Sequence, residues 1–243
     1  MTEPSRTLED GLPAVYIMST KPLGPVWRDF ISTELTTRYT VTTICDSDRS
    51  PSVSDSACIA AGFVHATSYK RVSAWDRALY HYYANPERSA YAWFSEYDVY
   101  IPGVRSLRSI DAVAEDADLV SNSPQSVRDL PQWPHWKRLG LRDDSVPAPY
   151  RCMVCLTRIS RALIDEVGRY AARHGTLSFH EYLFPTLARS TPSLSQLTYP
   201  NHLKVAITWN LKIDSRTHDP RVMYHPVKRE KDHAVLRGRL PPE

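Results

Sequence analysis

The chain has 243 residues, of which 42% are hydrophobic and 23% charged, a composition typical of one large globular domain or two small ones. A formal net charge of +3 is too small to indicate a nucleic-acid-binding protein, and we expect no nucleic-acid partner. No apolar run approaches the length of about 18 residues that a membrane span requires, and the N-terminal pattern is not that of a signal peptide. The four cysteines fit free thiols in a reducing compartment, so we expect a cytoplasmic protein without a transmembrane segment.

Strands and helices alternate in the first part of the chain. The continuous apolar run Ala14–Ser19 predicts a buried strand, and residues 26–35 a helix that begins after Pro25. Residues 39–45 are rich in β-branched side chains and predict a second strand, which ends in the polar turn Asp46-Ser-Asp48. This order of strand, helix and strand is typical of a parallel unit with a crossover.

The same alternation continues, and it predicts an α/β fold with a Rossmann-like, mainly parallel central sheet flanked by helices. Ser73 is a predicted N-cap with Asp76 three residues later. Ser160 and Gly175 mark the start and the end of another helix. Residues 124–149 are predicted as a long irregular segment, and the chain beyond residue 211 as polar and basic. The predicted helices are 73–84, 104–114, 161–174 and 179–188, and the predicted strands are 92–102, 118–123, 150–157 and 203–211.

Two carboxylates stand out in the predicted strand 92–102. Glu96 and Asp98 are two residues apart near its end, and alternate residues of a strand point to the same face. Like charges at such spacing are costly to half-bury unless a cation neutralises them. Hard divalent cations bind carboxylate oxygens, so the pair predicts a metal site at the end of this strand.

This arrangement resembles the nucleotide-sugar-dependent glycosyltransferases of the GT-A type. Members of that family begin with strand, helix and strand, and carry an acid-x-acid (DXD) motif at the end of a later strand. Glu96-Tyr97-Asp98 resembles that motif, with Glu in place of the first Asp, and the resemblance covers roughly residues 14–123. It implies one continuous domain with a flexible tail (1–12), a nucleotide-sugar-binding half (13–123) and an acceptor-binding half (124–243) that ends in a metal- and diphosphate-binding element.

The resemblance also implies roles for individual residues. Asp98 and His225 would hold Mn²⁺ or Mg²⁺ against the diphosphate of the donor, since neutral imidazole is a suitable further ligand, and Glu96 would complete the metal site or hold a metal-bound water or the ribose. Lys228 would supply a positive charge to the diphosphate, and Asp46 would face the base or the ribose. The residues leave alternatives open: a solvated basic tail for His225 and Lys228, and an Asx-turn for Asp46.

Glu181, near the start of the predicted helix 179–188, is the candidate general base, and with Asp98 it completes the predicted catalytic pair. In an inverting enzyme a half-buried carboxylate with a raised pKa would take the proton of the acceptor hydroxyl. A retaining enzyme needs no such base, and Glu181 would then bind the sugar. The alternative is an acid that is favoured by the dipole at a helix N-terminus.

Two further groups of residues have two interpretations each. Trp133, His135 and Trp136 fit either an aromatic platform for a sugar or an anchor for their own loop. Cys152-x-x-Cys155 has the spacing of half a zinc site or of a redox pair. No second Cys pair follows it, and we therefore predict that these two cysteines are structural.

We predict a metal-dependent glycosyltransferase that moves a hexose from a nucleotide diphosphate-sugar donor to a hydroxyl acceptor, which would be a glycan, a lipid or a small molecule. One alternative is a sugar nucleotidyltransferase, which would need a Gly-rich basic loop after the first strand. Ser19-Thr-Lys-Pro-Leu-Gly24 has only one Lys and one Gly at that place. The other alternative is a non-catalytic transferase-like domain that binds a glycan or a protein partner.

Overall fold

The computed structural model of the chain describes residues 12–47, 53–66, 71–138, 149–200, 205–208 and 218–239. No helix within these ranges has the length and apolar character that crossing a membrane would demand. The helices are α1 (Pro25–Thr33), α2 (Asp55–Ala60), α3 (Ala74–Ala84), α4 (Val104–Asp111), α5 (Arg161–His174), α6 (His180–Ser190) and α7 (Glu230–Leu236), with 3₁₀ turns at Leu35–Thr37 and Pro134–Arg138.

Six strands form the central sheet, in the order β2-β1-β3-β7-β4-β8. Five of them run parallel, and β7 is antiparallel to both of its neighbours. With helices on its faces, this sheet confirms the predicted fold class. The strands are β1 (Ala14–Ser19), β2 (Thr40–Cys45), β3 (Tyr91–Glu96), β4 (Leu119–Ser121), β7 (Leu156–Ser160) and β8 (Gln196–Thr198), and the separate pairs β5 (Gln125–Ser126) with β6 (Tyr150–Arg151) and β9 (Val205–Ile207) with β10 (Met223–His225) complete the set.

Both faces of strand β3 are buried, which is usual for a central strand of a mainly parallel sheet. Ala92 and Phe94 pack into the core under α3, α5 and α6. Tyr91 and Trp93 pack into the core under α1 and α4. Since β3 lies between β1 and β7, its carboxyl end opens at the middle of one sheet edge, where ligands of such sheets bind.

The sequence predicted the bounds of several elements correctly, in two cases from their cap residues. Strand β1 has the predicted bounds, and α3 begins at a capping box in which Ser73 Oγ accepts from the Asp76 backbone N–H and the Asp76 carboxylate accepts from the Ser73 N–H. Helix α5 begins after Ser160 and ends at Gly175, whose φ of 67° is left-handed. Asp48 and the tail before residue 12 lie outside the described residues.

The predicted strand 150–157 was wrong in its middle. Strands β6 and β7 are separated by residues 152–155, which form neither strand nor helix. The Cys152 N–H donates to the carbonyl of Glu181 at 2.8 Å, so this backbone is engaged with α6 rather than with a sheet ladder. The segment therefore carries its cysteines past the end of β3.

No strand or helix was predicted in the polar, basic segment beyond residue 211, but β10 and α7 lie within it. Tyr100, which follows β3, pairs its backbone with Tyr224 in an antiparallel bridge. Val222, Val227 and Leu236 complete a small apolar core around this pair. Of the predicted strand 203–211, the structure describes only residues 205–208, which contain β9.

A polar network is buried in the core on the α1 and α4 side of the sheet. The Asp111 carboxylate accepts from Tyr39 OH at 2.6 Å and from Trp93 Nε1 at 3.1 Å, and Arg158 Nε lies 3.3 Å from it. Arg158 is only 2% exposed, and its Nη1 donates to two backbone carbonyls in the segment after α4. Each charge in this core thus depends on the others for partners.

We expect Gly62→Ala to destabilise the protein more than Gly175→Ala. Both glycines have a positive φ, 74° and 67°, so either change strains the backbone by about 1–2 kcal/mol. A Cβ on Gly62 would lie 2.5 Å from the Ala171 carbonyl oxygen, whereas a Cβ on Gly175 meets nothing within 4 Å. Urea unfolding should show a further loss of about 1–3 kcal/mol for Gly62→Ala. Equal losses of unfolding free energy in the two variants would show that the Ala171 carbonyl does not restrict a side chain at position 62.

Candidate active site

The predicted acid pair lies at the carboxyl end of β3, but only its first member belongs to the strand. Glu96 is the last residue of β3, and Asp98 follows in a turn, so the argument that both side chains share one strand face was wrong. The Glu96 N–H donates to the Cys155 carbonyl and the Tyr97 N–H to that of Met18, both within 2.9 Å. The turn brings Asp98, which is only 7% exposed, towards the same partner as Glu96.

That partner is His225, the last residue of β10. Its Nε2 lies 3.4 Å from Glu96 Oε2 and 3.5 Å from Asp98 Oδ1. Its Nδ1 lies 3.0 Å from the Thr208 carbonyl oxygen, which as an acceptor fixes the ring with Nε2 towards the carboxylates. The Val227 N–H donates to the Asp98 carbonyl at 2.6 Å and ties the two segments together. His225 Nε2 thus lies close to both predicted carboxylate ligands.

At this site, one histidine ring lies between two carboxylates, and its protonation determines the net charge. Burial alone would lower the pKa of His225, but its interactions with Asp98, Cys155 and Glu96 raise that pKa to about 12. Without a cation, the ring is therefore an imidazolium that balances the two carboxylates. Among the described residues, the buried Asp98 Oδ1 still has no hydrogen-bond donor. A divalent ion would supply the charge that the ring proton supplies here, and would satisfy that oxygen.

Glu181 lies in the first turn of α6 and is buried at the same site. Burial is the main cause that raises its pKa to about 8; Arg151 and His225 lower it, and Glu96 raises it. Arg151 Nη1 is 3.8 Å from Glu181 Oε2, and this oxygen accepts no hydrogen bond from the residues that the structure describes. A carboxyl group that titrates near neutral pH and has a free oxygen can exchange protons with a bound substrate.

Sequence reasoning missed two residues of the site. Cys155 offers its thiol to the same cluster, where the ligand atoms of Glu96, Cys155 and His225 all lie within 4.8 Å of one another. The Trp75 indole N–H donates to Glu96 Oε1 at 3.0 Å while its ring stacks on Phe94. The Cys-x-x-Cys spacing was a signal for Cys155, whereas the pattern of α3 marked Trp75 only as an apolar position.

The two remaining predicted donor-binding residues lie around this cluster. Asp46 follows β2, and its Oδ1 accepts from the Ala74 N–H at 2.6 Å, so that one oxygen caps α3. Lys228 is exposed and follows Val227 directly. The structure brings together Glu96, Asp98, Glu181 and His225, and it places Asp46 at the start of the neighbouring helix.

The aromatic residues of the 3₁₀ turn at Pro134–Arg138 pack beside Glu181. Trp133 is buried against Phe179 and Tyr182, and the Trp136 indole N–H donates to the Leu130 carbonyl at 2.8 Å. The half-exposed His135 ring stacks on Phe179 with 4.8 Å between centroids. The two tryptophans thus have contacts that anchor their own loop, the second of the two predicted interpretations.

Comparisons with known proteins give little further information. No family model matches the chain, and no curated protein sequence matches it. One solved structure that it resembles is described as a glycosyltransferase involved in the glycosylation of the major capsid of PBCV-1. That likeness has a TM-score of 0.36 and 9% sequence identity, and it covers 80% of this chain and 85% of the other. A similarity of this size carries no argument, so the function has to be inferred from the site itself.

Proposed function

We propose that the protein is a metal-dependent glycosyltransferase of the GT-A type that transfers a sugar from a nucleotide diphosphate donor to a hydroxyl acceptor. The observation that carries this proposal is the convergence of Glu96, Asp98, His225 and Glu181 at the carboxyl end of a parallel strand. Sites at that edge of an open α/β sheet bind nucleotides. Two carboxylates, one imidazole and one buried acid are the groups that such a transfer requires.

The residues fit a divalent ion. Asp98 Oδ1 is buried and accepts no hydrogen bond from the described part of the chain, and two carboxylates lie within 3.5 Å of His225 Nε2. Asp98, Glu96 and neutral His225 would hold the ion, and for the proposed transfer this ion would be Mn²⁺ or Mg²⁺. When bound, such an ion neutralises the charge that develops on the leaving diphosphate. Lys228, exposed after the same strand, would add a positive charge towards the phosphates.

Glu181 is proposed to take the proton of the acceptor hydroxyl while the bond to the sugar forms. Its raised pKa suits this role, as does its Oε2, which accepts no hydrogen bond from the described residues. The Arg151 guanidinium, 3.8 Å away, lowers the pKa and so offsets part of the rise that burial causes. This is the role expected in an inverting transfer. Asp46 is proposed to face the ribose or base with the oxygen that does not cap α3.

We expect nucleotide binding to depend on the metal and on Asp98. In a thermal-shift panel of UDP and GDP at about 100 times their Kd, one nucleotide with Mn²⁺ should raise the Tm by about 5–10 °C. Asp98→Asn should lose most of that rise, because it removes a ligand charge. Asp116→Asn, on an exposed residue, should keep it.

Hydrolysis or transfer from the responding sugar nucleotide then separates an enzyme from a binding domain. A nucleotide shift without any turnover would favour the non-catalytic alternative. Wild-type turnover by Asp98→Ala with Mn²⁺ would exclude the metal assignment, and the absence of any nucleotide shift would overturn the proposed function.

A further inference from the structure

Cys155 gives the cluster a donor that a site for hard ions does not need. Its thiol lies with the ligand atoms of Glu96 and His225 inside a span of 4.8 Å. Burial raises the pKa of this thiol to about 12, and it is a neutral group in the absence of a cation. The cluster therefore offers one sulfur, one imidazole nitrogen and one carboxylate oxygen.

The three donors are held on separate, anchored backbone segments. The Cys155 carbonyl accepts from the Glu96 N–H at 2.8 Å, and the next residue, Leu156, begins β7 in register with Ser95 of β3. The Thr208 carbonyl orients the His225 ring. The backbone of Cys155 and the ring of His225 are thus held in place before any ion binds.

Asp98 can supply a fourth donor. Asp98 is buried, and its Oδ1 lies 3.5 Å from His225 Nε2 without accepting a hydrogen bond from any residue in the described ranges. In a tetrahedral zinc site the ligands lie about 2.0–2.3 Å from the ion, and hence about 3.3–3.8 Å from one another. The separations of His225 Nε2 from Glu96 Oε2 (3.4 Å) and from Asp98 Oδ1 (3.5 Å) lie in that range, and Cys155 Sγ lies within 4.8 Å of the Glu96 and His225 ligand atoms, so a movement of the side chains would close the site around an ion.

The donor set also selects among ions. Mn²⁺ and Mg²⁺ prefer oxygen ligands, whereas a thiolate beside an imidazole favours Zn²⁺ and similar softer ions. We propose that Glu96, Cys155 and His225 form a zinc-binding site, with Asp98 as the fourth donor, and that zinc competes there with Mn²⁺. Binding releases the thiol proton of Cys155 and the ring proton of His225 to solvent. The inference uses residues of the proposed active site, but it does not rest on the proposed activity.

Titration of the full chain with Co²⁺ alone, without nucleotide, tests the site, because cobalt takes the place of zinc and reports its ligands. We expect a thiolate-to-cobalt charge-transfer band, which Zn²⁺ abolishes in stoichiometric amount. Cys155→Ser should lose the band and bind zinc at least about 100-fold more weakly. Cys152→Ser is the matched control: this thiol is equally buried, lies in the same segment and is outside the cluster.

A wild-type protein without the band, or a Cys155→Ser variant that retains it, would overturn the zinc site. If the serine variant does not fold, His225→Gln keeps the thiol and removes the imidazole, and an unchanged cobalt affinity in that variant would overturn the site equally. A nucleotide shift with Mn²⁺ but no cobalt band would refute this inference alone. A cobalt band without any nucleotide response would refute the transferase proposal alone.

Discussion

Glu181→Gln is expected to reduce sugar transfer by about 10²–10⁴-fold, the usual contribution of a general base. Glutamine keeps the shape of the side chain but cannot take a proton. The loss should appear in kcat, with the donor KM nearly unchanged, because the metal ligands remain in place. Glu115→Gln, on an exposed residue, should leave the rate unchanged. A Glu181→Gln enzyme with wild-type kcat would exclude the base.

The pH dependence provides a second test of Glu181. Its pKa of about 8 means that the fraction of active carboxylate, and with it the wild-type rate, should rise with pH through that value. The residual rate of Glu181→Gln should lack this rise. A wild-type rate that falls as pH increases from 6 to about 8 would contradict the role.

The contribution of Glu181 to the stability of the fold should decrease with rising pH, whereas the reaction rate should increase. The pKa of Glu181 is raised from its ordinary value of 4.5 to about 8 in the folded protein, so the folded state holds the proton more tightly. The stability that this carboxyl contributes is fully present below about pH 4.5 and is lost as pH rises towards 8. Glu181→Gln should therefore gain stability relative to the wild type over that window, on the order of a few kcal/mol. Urea unfolding at several pH values measures the difference.

Asp111→Ala is expected to lower the free energy of unfolding by about 3–5 kcal/mol, because it leaves the charge of Arg158 buried without its carboxylate. It also removes the acceptor of Tyr39 OH and Trp93 Nε1. Asp29→Ala is the matched control, since Asp29 pairs with Arg239 at the surface and should cost less than about 1 kcal/mol.

Replacing both buried charges at once sharpens the experiment. Asp111→Leu with Arg158→Met exchanges the ion pair for apolar side chains, and we expect it to be closer to wild-type stability than Asp111→Ala. Urea unfolding measures all four proteins. A loss of similar size for Asp111→Ala and Asp29→Ala would show that the network does not bear on stability.

Sequence patterns predicted the elements whose bounds are determined by interactions between residues close together in the chain. The apolar run of β1, the capping box at Ser73 and the Ser160–Gly175 pair of α5 are each decided by neighbouring residues. Strand β10 has only three residues, which pair with β9 and, through Tyr224, with Tyr100 far earlier in the chain, so no periodicity in its own sequence indicates it. Long-range partners, rather than propensity, determined that element.

The candidate site shows the same division. Glu96 and Asp98 were identified from their spacing, and the resemblance supplied Glu181 and His225, whose roles remain predictions. Cys155 lies directly before β7, and its carbonyl accepts from the Glu96 N–H of β3. The backbone before it bonds with α6 through Cys152, whereas an apolar run around two cysteines predicts a continuous strand. The approach of Cys155 to His225 is a property of the packing and not of the Cys-x-x-Cys spacing.

The order in which the site is assembled follows from where its parts lie along the chain. All six strands of the central sheet are contained in residues 14–198, whereas His225 arrives on a segment that docks onto Tyr100 afterwards. During synthesis the sheet can form while its carboxylates still lack their imidazole partner. Cleavage between β8 and β10 would break the covalent link between the carboxylates and His225, so the ion site would then depend on the noncovalent packing of segments such as the one carrying Met223 against the core of the sheet.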